Sequence, residues 1–258
     1  MTWNPEQYLK FAQPRLRPAL DLLARIEVSD PKHICDLGCG TGNVTKLLVE
    51  RWPQASITGV DDSSSMLAQA TKDMPAVQWL NQSVVDWKSD QPVDVIYSNA
   101  ALHWLPNHET LFPDLMTNLD SGGVLAVQMP NNFSAPSHTL IADTVRSRKW
   151  NGAFESLLAP DKIAPVADPD FYFSLLAPLT KRIDIWQTEY LQVLAGKDPV
   201  KEWTKGTWLK QFLDRLDASE QSAFEEDYAR RLRDAYPQQA NGKTLFPFKR
   251  MFIVLQKA

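Results

Sequence analysis

The residues richest in chemistry form one short run, Asp36-Leu37-Gly38-Cys39-Gly40-Thr41-Gly42. Glycines at alternate positions let a backbone turn tightly and come close to a ligand. A dinucleotide loop needs the spacing G-x-G-x-x-G, with its third glycine at position 43. Position 43 is Asn, and an acid stands two residues before the first glycine. A pyrophosphate fits poorly beside Asp36. A ligand carrying an ammonium or sulfonium charge fits well.

Two further segments belong with this loop. Gly59-Val60-Asp61 ends a β-branched run, and a carboxylate at a strand end can accept two hydrogen bonds from ribose hydroxyls. Asp62 is the competing acid, and Met66 stands one turn into the next helix, where it can lie against an adenine face or serve as core. Tyr97-Ser98-Asn99-Ala100-Ala101-Leu102-His103-Trp104-Leu105-Pro106 supplies polar groups at Asn99 and His103 and an apolar wall at Trp104.

Elements that position these segments are legible from periodicity. His33 to Leu37 reads as the first strand and Asn43 to Arg51 as its helix. Ser56 to Val60 is a second strand, and Ser63 to Thr71 a helix capped by Ser63. Val77 to Leu80 and Val93 to Ser98 are strands. Glu109 to Leu119 is a helix stopped by a turn at Asp120-Ser-Gly-Gly123. Val124 to Gln128 is almost wholly apolar, as a doubly buried strand should be. This alternation predicts a parallel sheet with crossover helices. The first and fourth strands are then neighbours, and the loops after them flank the crevice where such sheets bind ligands.

Beyond Pro130 the pattern changes. Ser137 to Arg148 reads as a helix, a proline-rich stretch follows, and Arg182 to Leu194 reads as a strand. Ser219 to Tyr236 is a helix with Ser219 as its cap, and Arg250 to Leu255 is the last strand. Pro5 to Arg25 reads as helical. The expected organisation is one domain over residues 1–258: an N-terminal helical segment at 1–30, a ligand-binding core at 31–130, and insertions at 131–182 and 196–243.

Bulk properties narrow the field. Of 258 residues, 44% are hydrophobic and 22% charged, which is ordinary for a soluble globule. The net charge of −4 argues against a basic nucleic-acid surface. Cys35 and Cys39 are too few and too close for a disulfide framework, which fits a reducing compartment. No apolar run reaches the ~20 residues of a membrane span, and residues 1–10 lack a signal core. The four histidines include no i, i+4 pair, so no metal is expected. These features together predict a cytoplasmic protein; a monomer or weak dimer is expected.

DLGCGTGNVT, ITGVDDSSSML and YSNAALHWLP resemble class I S-adenosylmethionine-dependent methyltransferases. Within them the chain is similar to the trans-aconitate 2-methyltransferase family. That likeness includes Trp3-Asn-Pro-x-x-Tyr8-Leu, Arg17-Pro-Ala19, Leu125-Ala-Val-Gln-Met-Pro130, Asp184-Ile-Trp186-Gln-Thr188, Tyr236-Pro237, Asn241-Gly242 and Phe252-Ile-Val. It implies a Rossmann-like α/β fold whose seven-stranded sheet ends in an antiparallel strand. It also implies methyl-ester formation on a small tricarboxylate, with S-adenosylmethionine as cofactor and S-adenosylhomocysteine as product. By position, Gly38, Gly40 and Gly42 would pass under the methionine part, with Asp61 at the ribose and Asn99 near the methionyl end; Asp36 and Met66, read from the residues themselves, complete the expected cofactor contacts. Ser83 stands where the family usually carries an acid for the adenine amino group, with Asp86 as the alternative, and His103 stands where a Gln is expected.

A carboxylate acceptor is ionised at pH 7, so no strong general base is required. The chain must align the oxygen, exclude water and hold the other carboxylates. Against a net negative average, that needs local cations, hydroxyls and indoles. The candidates are Tyr8, Arg15, Arg17, His103, Trp104, His138, Tyr172 and Arg250. Two other readings stay open here. One is a methyltransferase for a carboxyl on acyl carrier protein, docking on Lys201, Lys205 and Lys210. The other is a non-catalytic protein that binds the cofactor.

Overall fold

The computed structural model describes residues 12–147, 150, 154–158 and 166–258; side chains are described from Leu16 onward, apart from Glu155. The chain forms two compact units. The first contains Leu16–Pro130, Val166–Gln187 and Arg250–Ala258; the second contains the described parts of Met1–Arg15, Asn131–Pro165 and Thr188–Lys249.

The elements follow in order: α1 Ala12–Leu23, β1 His33–Leu37, α2 Thr45–Arg51, β2 Ser56–Asp61, α3 Ser64–Asp73, β3 Gln78–Asn81 and β4 Val93–Asn99. Next come α4 His108–Thr117, β5 Leu119–Pro130, α5 Pro136–Val145, α6 Pro169–Leu176 and β6 Thr180–Leu194. The chain closes with α7 Pro199–Lys205, α8 Lys210–Leu213, α9 Ala218–Ala235 and β7 Thr244–Lys257. The sheet has seven strands in the order β3-β2-β1-β4-β5-β7-β6. β1, β2, β3, β4 and β5 pair in parallel, whereas β7 runs antiparallel to β5. The α/β class and the antiparallel last strand are therefore as the alternation and the resemblance imply. Strand order reverses between β1 and β4, which places their C-terminal loops at the switch point.

The core explains why β4 and β5 sit centrally. Val95, Ile96, Tyr97, Leu125, Ala126 and Val127 are fully buried, so these strands read as continuous apolar runs. α3 starts where Ser63 accepts a hydrogen bond from the Met66 N–H, the expected cap.

Three local readings are corrected. The cap of α9 is Asp217, whose carboxylate accepts from the Ser219 and Glu220 N–H groups while the Glu220 carboxylate accepts from the Asp217 N–H. Ser219 is already helical, because the upstream carboxylate completes the reciprocal box. Asp120 to Gly123 is not a free turn but the start of β5. There the register jumps from Val93–Leu119 to Val95–Val124, a bulge that Gly122 accommodates at φ +78°. The last strand begins at Thr244, six residues before the expected Arg250. Of the helix expected from Pro5 to Arg25, the described part is α1; residues 5–11 lie outside the described residues.

Candidate functional site

The glycine loop is built by β1 running buried into a backbone that no ordinary side chain tolerates. Gly38, Gly40 and Gly42 all have positive φ, at +72°, +57° and +78°. At Gly42 a Cβ would lie 2.6 Å from Met74 and 2.8 Å from Trp79, so glycine is required for packing as well as for conformation. Gly38 N–H and Cys39 N–H both donate to the Val60 carbonyl, at 2.8 and 3.1 Å, which ties the loop to the end of β2.

Asp61 lies at that end. Its Oδ2 accepts from the Gly40 N–H at 2.9 Å and its Oδ1 from the Ser63 N–H at 2.9 Å. Partial burial raises its pKa, and the two N–H donors pull the other way. The competing Asp62 is exposed. Met66 is half-buried, its Sδ 3.5 Å from where a Gly40 side chain would begin, so it flanks the same loop. Asp61, Gly40 and Met66 are thus brought together.

Asp36 is 2% exposed and accepts from Thr45 Oγ1 at 2.6 Å. Burial pushes its carboxyl up to about 7; the Thr45 hydroxyl opposes this, and nearby Asp61 adds to it. Two acids in a low-dielectric loop make a place that favours a cation. Both cysteines are free and buried, and burial pushes the Cys35 thiol up to about 12, so neither is a thiolate.

Across the switch point, β4 ends at Asn99 and the next residue, Ala100, is forced to φ +55° while its N–H donates to the Gln128 carbonyl at 2.9 Å. Asn99 Oδ1 is buried and accepts no hydrogen bond among the described residues. A 3₁₀ turn, Leu102–Trp104, follows. His103 within it is buried, its ring 4.6 Å from that of Trp104. Trp104 itself is 50% exposed. His108 fixes this turn: its Nε2 bonds the Leu102 carbonyl at 2.9 Å and its Nδ1 faces the Tyr172 hydroxyl at 2.7 Å. Burial lowers its pKa, so the ring is neutral, with Nε2–H donating and Nδ1 accepting.

That geometry removes Tyr172 from the substrate candidates. It is fully buried and its hydroxyl is committed to His108 and the Ala167 N–H. His138 is also not the cation expected of it. It lies in the second unit among Phe133 and Trp208, with Ser137 Oγ at 3.1 Å, and desolvation pushes its pKa down to about 4. Arg17 is exposed on α1. Arg250 is 6% exposed on β7, with Nη1 donating to Gln128 Oε1 at 3.0 Å. Ser83 is half-buried and accepts from the Val85 N–H. Tyr8 and the Arg15 side chain lie outside the described residues. The proposed lysine patch is neutralised: Lys201 pairs with Glu202 and Glu225, Lys205 with Glu225, and Lys210 with Asp214.

Periodicity did not single out Thr45, His108 or Gln128. Gln128 had a signal, a lone amide at the end of an apolar strand. Thr45 and His108 had none, because their roles depend on partners 9 and 64 residues away.

No described helix is long and apolar enough to cross a membrane. A family model described as a methyltransferase domain matches residues 34–123. A trans-aconitate 2-methyltransferase of Azoarcus sp. (strain BH72) is 44% identical over 98% of this chain and 98% of its own length. One from Klebsiella pneumoniae (strain 342) is 44% identical over 99% and 98%. Among solved structures, phosphoethanolamine N-methyltransferase 2 of Haemonchus contortus, in complex with S-adenosyl-L-methionine, superposes with a TM-score of 0.56 at 13% identity. It covers 94% of this chain, which spans 53% of that chain's length, and the likeness shows the fold.

Proposed function

This chain belongs to the trans-aconitate 2-methyltransferase family, and we propose that it transfers a methyl group from S-adenosylmethionine to one carboxylate of trans-aconitate, giving a methyl ester and S-adenosylhomocysteine. The observation that carries the reading is the extent of the likeness. It covers 98% of the chain, well beyond the 34–123 segment common to methyltransferase domains.

The residues present fit the cofactor. The glycine loop offers backbone free of side chains, and Asp61 already accepts an N–H from that loop. In this reading Gly38, Gly40 and Gly42 hold the methionine part, Asp61 takes the ribose hydroxyls and Met66 lies beside the adenine. Asn99 Oδ1, buried and without a partner among the described residues, accepts from the ammonium. Asp36 supplies negative potential beneath the loop. The adenine amino group has no acid at position 83, and Ser83 Oγ is the nearest equivalent in sequence.

When bound, the cofactor supplies an electrophilic methyl on a sulfonium, with a neutral thioether as leaving group. The chain's own work is then positional. The acceptor oxygen is already ionised, so no group need remove a proton. Buried His103 and the Trp104 ring beside it form the wall after β4, and the His108–Tyr172 pair holds that wall in place. Arg17 and Arg250 are the cations for the remaining carboxylates. The test is direct: purified protein with methyl-labelled cofactor and trans-aconitate is expected to give a labelled monomethyl ester. No ester at high enzyme concentration, with cofactor bound, would sink the substrate assignment.

A further inference from the structure

We propose that Gln128 and Arg250 form a clamp for one ligand carboxylate, supplied either by the acceptor or by the methionine end of the cofactor. The inference rests on the methyl-transfer reading and adds a residue to it.

Gln128 is fully buried in a strand whose neighbours Val124 to Val127 and Met129 are apolar and buried. A polar residue kept in such a place needs both ends of its amide satisfied. One end is: Oε1 accepts from Arg250 Nη1 at 3.0 Å. Because a guanidinium can only donate, this contact also fixes which way the amide points. Its Nε2 is therefore the end of the amide that Nη1 does not engage, and it donates to nothing among the described residues.

The neighbours of Gln128 make this more than a lone defect. In the sheet register it lies opposite Asn99 on β4 and Phe252 on β7. Paired positions on adjacent strands share a face, so Asn99, Gln128 and Phe252 form a row, and Arg250, two residues before Phe252, shares that face. Asn99 and Gln128 sit opposite each other on adjacent strands, whose backbones lie about 4.8 Å apart. Asn99 Oδ1 is an acceptor and Gln128 Nε2 a donor, yet neither bonds the other. A donor group beside a guanidinium calls for an anion, and a carboxylate has two oxygens to give them. An acceptor one strand away calls for a cation or a donor. The row thus has the polarity of a ligand site rather than of a satisfied core.

The test uses Gln128→Glu and Gln128→Leu in the full-length protein. Gln128→Glu keeps the shape, turns the donor into an anion and pairs it with Arg250. Three quantities are read by calorimetry and steady-state kinetics: the Kd of S-adenosylhomocysteine, the Kd of methylthioadenosine, and the KM for trans-aconitate at saturating cofactor. Methylthioadenosine has neither the ammonium nor the carboxylate. If the clamp holds the acceptor, KM rises at least tenfold in both variants while both Kd values stay within about threefold. If it holds the methionine end, the S-adenosylhomocysteine Kd rises at least tenfold and the methylthioadenosine Kd stays put. No change in any quantity, or an equal loss for both nucleosides, overturns the clamp. A wild-type protein that makes no ester from trans-aconitate would reject the acceptor reading alone, since the two Kd values remain measurable.

Discussion

Ala101 packs its methyl group into the space that a side chain on Gly38 would need. The two residues belong to the loops after β1 and β4, so this contact sets how closely the two sides of the switch point approach. Gly38 also sits at φ +72°, a conformation that costs an L-residue about 1–2 kcal/mol. Gly38→Ala is expected to destabilise the protein by about 2–5 kcal/mol, the sum of that strain and overpacking. The affinity for S-adenosylhomocysteine should fall at least a hundredfold. Urea denaturation and calorimetry check the two effects. A variant of wild-type stability and affinity would show that the loops do not need this approach.

Asp61 links the loop to β2 through Gly40 and caps the turn at Ser63. Asp61→Ala removes both acceptors and, in the proposed complex, the ribose partner. Charge-assisted hydrogen bonds contribute about 1.5–3 kcal/mol each, so the S-adenosylhomocysteine Kd should rise by roughly ten- to a hundredfold or more. Asp62→Ala, at the exposed neighbour, should change it less than about threefold. If the two variants exchanged effects, the ribose assignment would move to Asp62.

The buried carboxyl of Asp36 makes stability depend on pH. Burial raises its folded pKa to about 7, against about 3.9 unfolded. A raised folded pKa means that its full stabilising share is present below pH ~4, is lost as pH rises towards 7, and stays lost above it. Asp61 shifts in the same direction and adds to the slope. Asp36→Asn should therefore stabilise the ligand-free protein at pH 8, by up to about 4 kcal/mol, and have little effect at pH 4. Urea titrations at both pH values measure this. The same carboxylate, once ionised, favours a nearby ammonium group, so S-adenosylhomocysteine should bind more tightly as pH rises through 7 in the wild type and lose that dependence in the variant.

His108 and Tyr172 form a buried neutral pair that anchors the Leu102–Trp104 turn. Tyr172→Phe leaves His108 Nδ1 without its donor and should cost about 1–3 kcal/mol. A double-mutant cycle with His108→Phe should show a coupling of about 1 kcal/mol, because each single change already breaks the same bond. Additive effects would mean that the two residues act independently. This pair replaces the substrate contact that a tyrosine in a proline-rich segment had invited.

Much of the glycine-loop side of the switch point was legible beforehand. Asp36, the three glycines, Asp61 and Asn99 are strand-end or loop residues and Met66 lies in the first turn of α3, so their spacing reports local backbone geometry. The acceptor side was not. His138 looked like a cation and is neutral, because its pKa is set by Phe133, Trp208 and the burial around it rather than by its sequence neighbours. Lys201, Lys205 and Lys210 looked like a basic patch and are paired with acids, two of them with Glu225, more than one helix away.

By itself the sequence determined what short-range physics determines. Glycine at 38, 40 and 42 permits positive φ, apolar runs of four to seven residues make buried strands, and Ser63 caps a helix. These depend on residues a few places apart. The tertiary structure decided which polar groups face one another: Gln128 against Arg250 over 122 residues, and Tyr172 against His108 over 64. A side chain's charge state and free hydrogen-bonding atoms are properties of its surroundings. Those surroundings come from strand order and register, which no local pattern encodes.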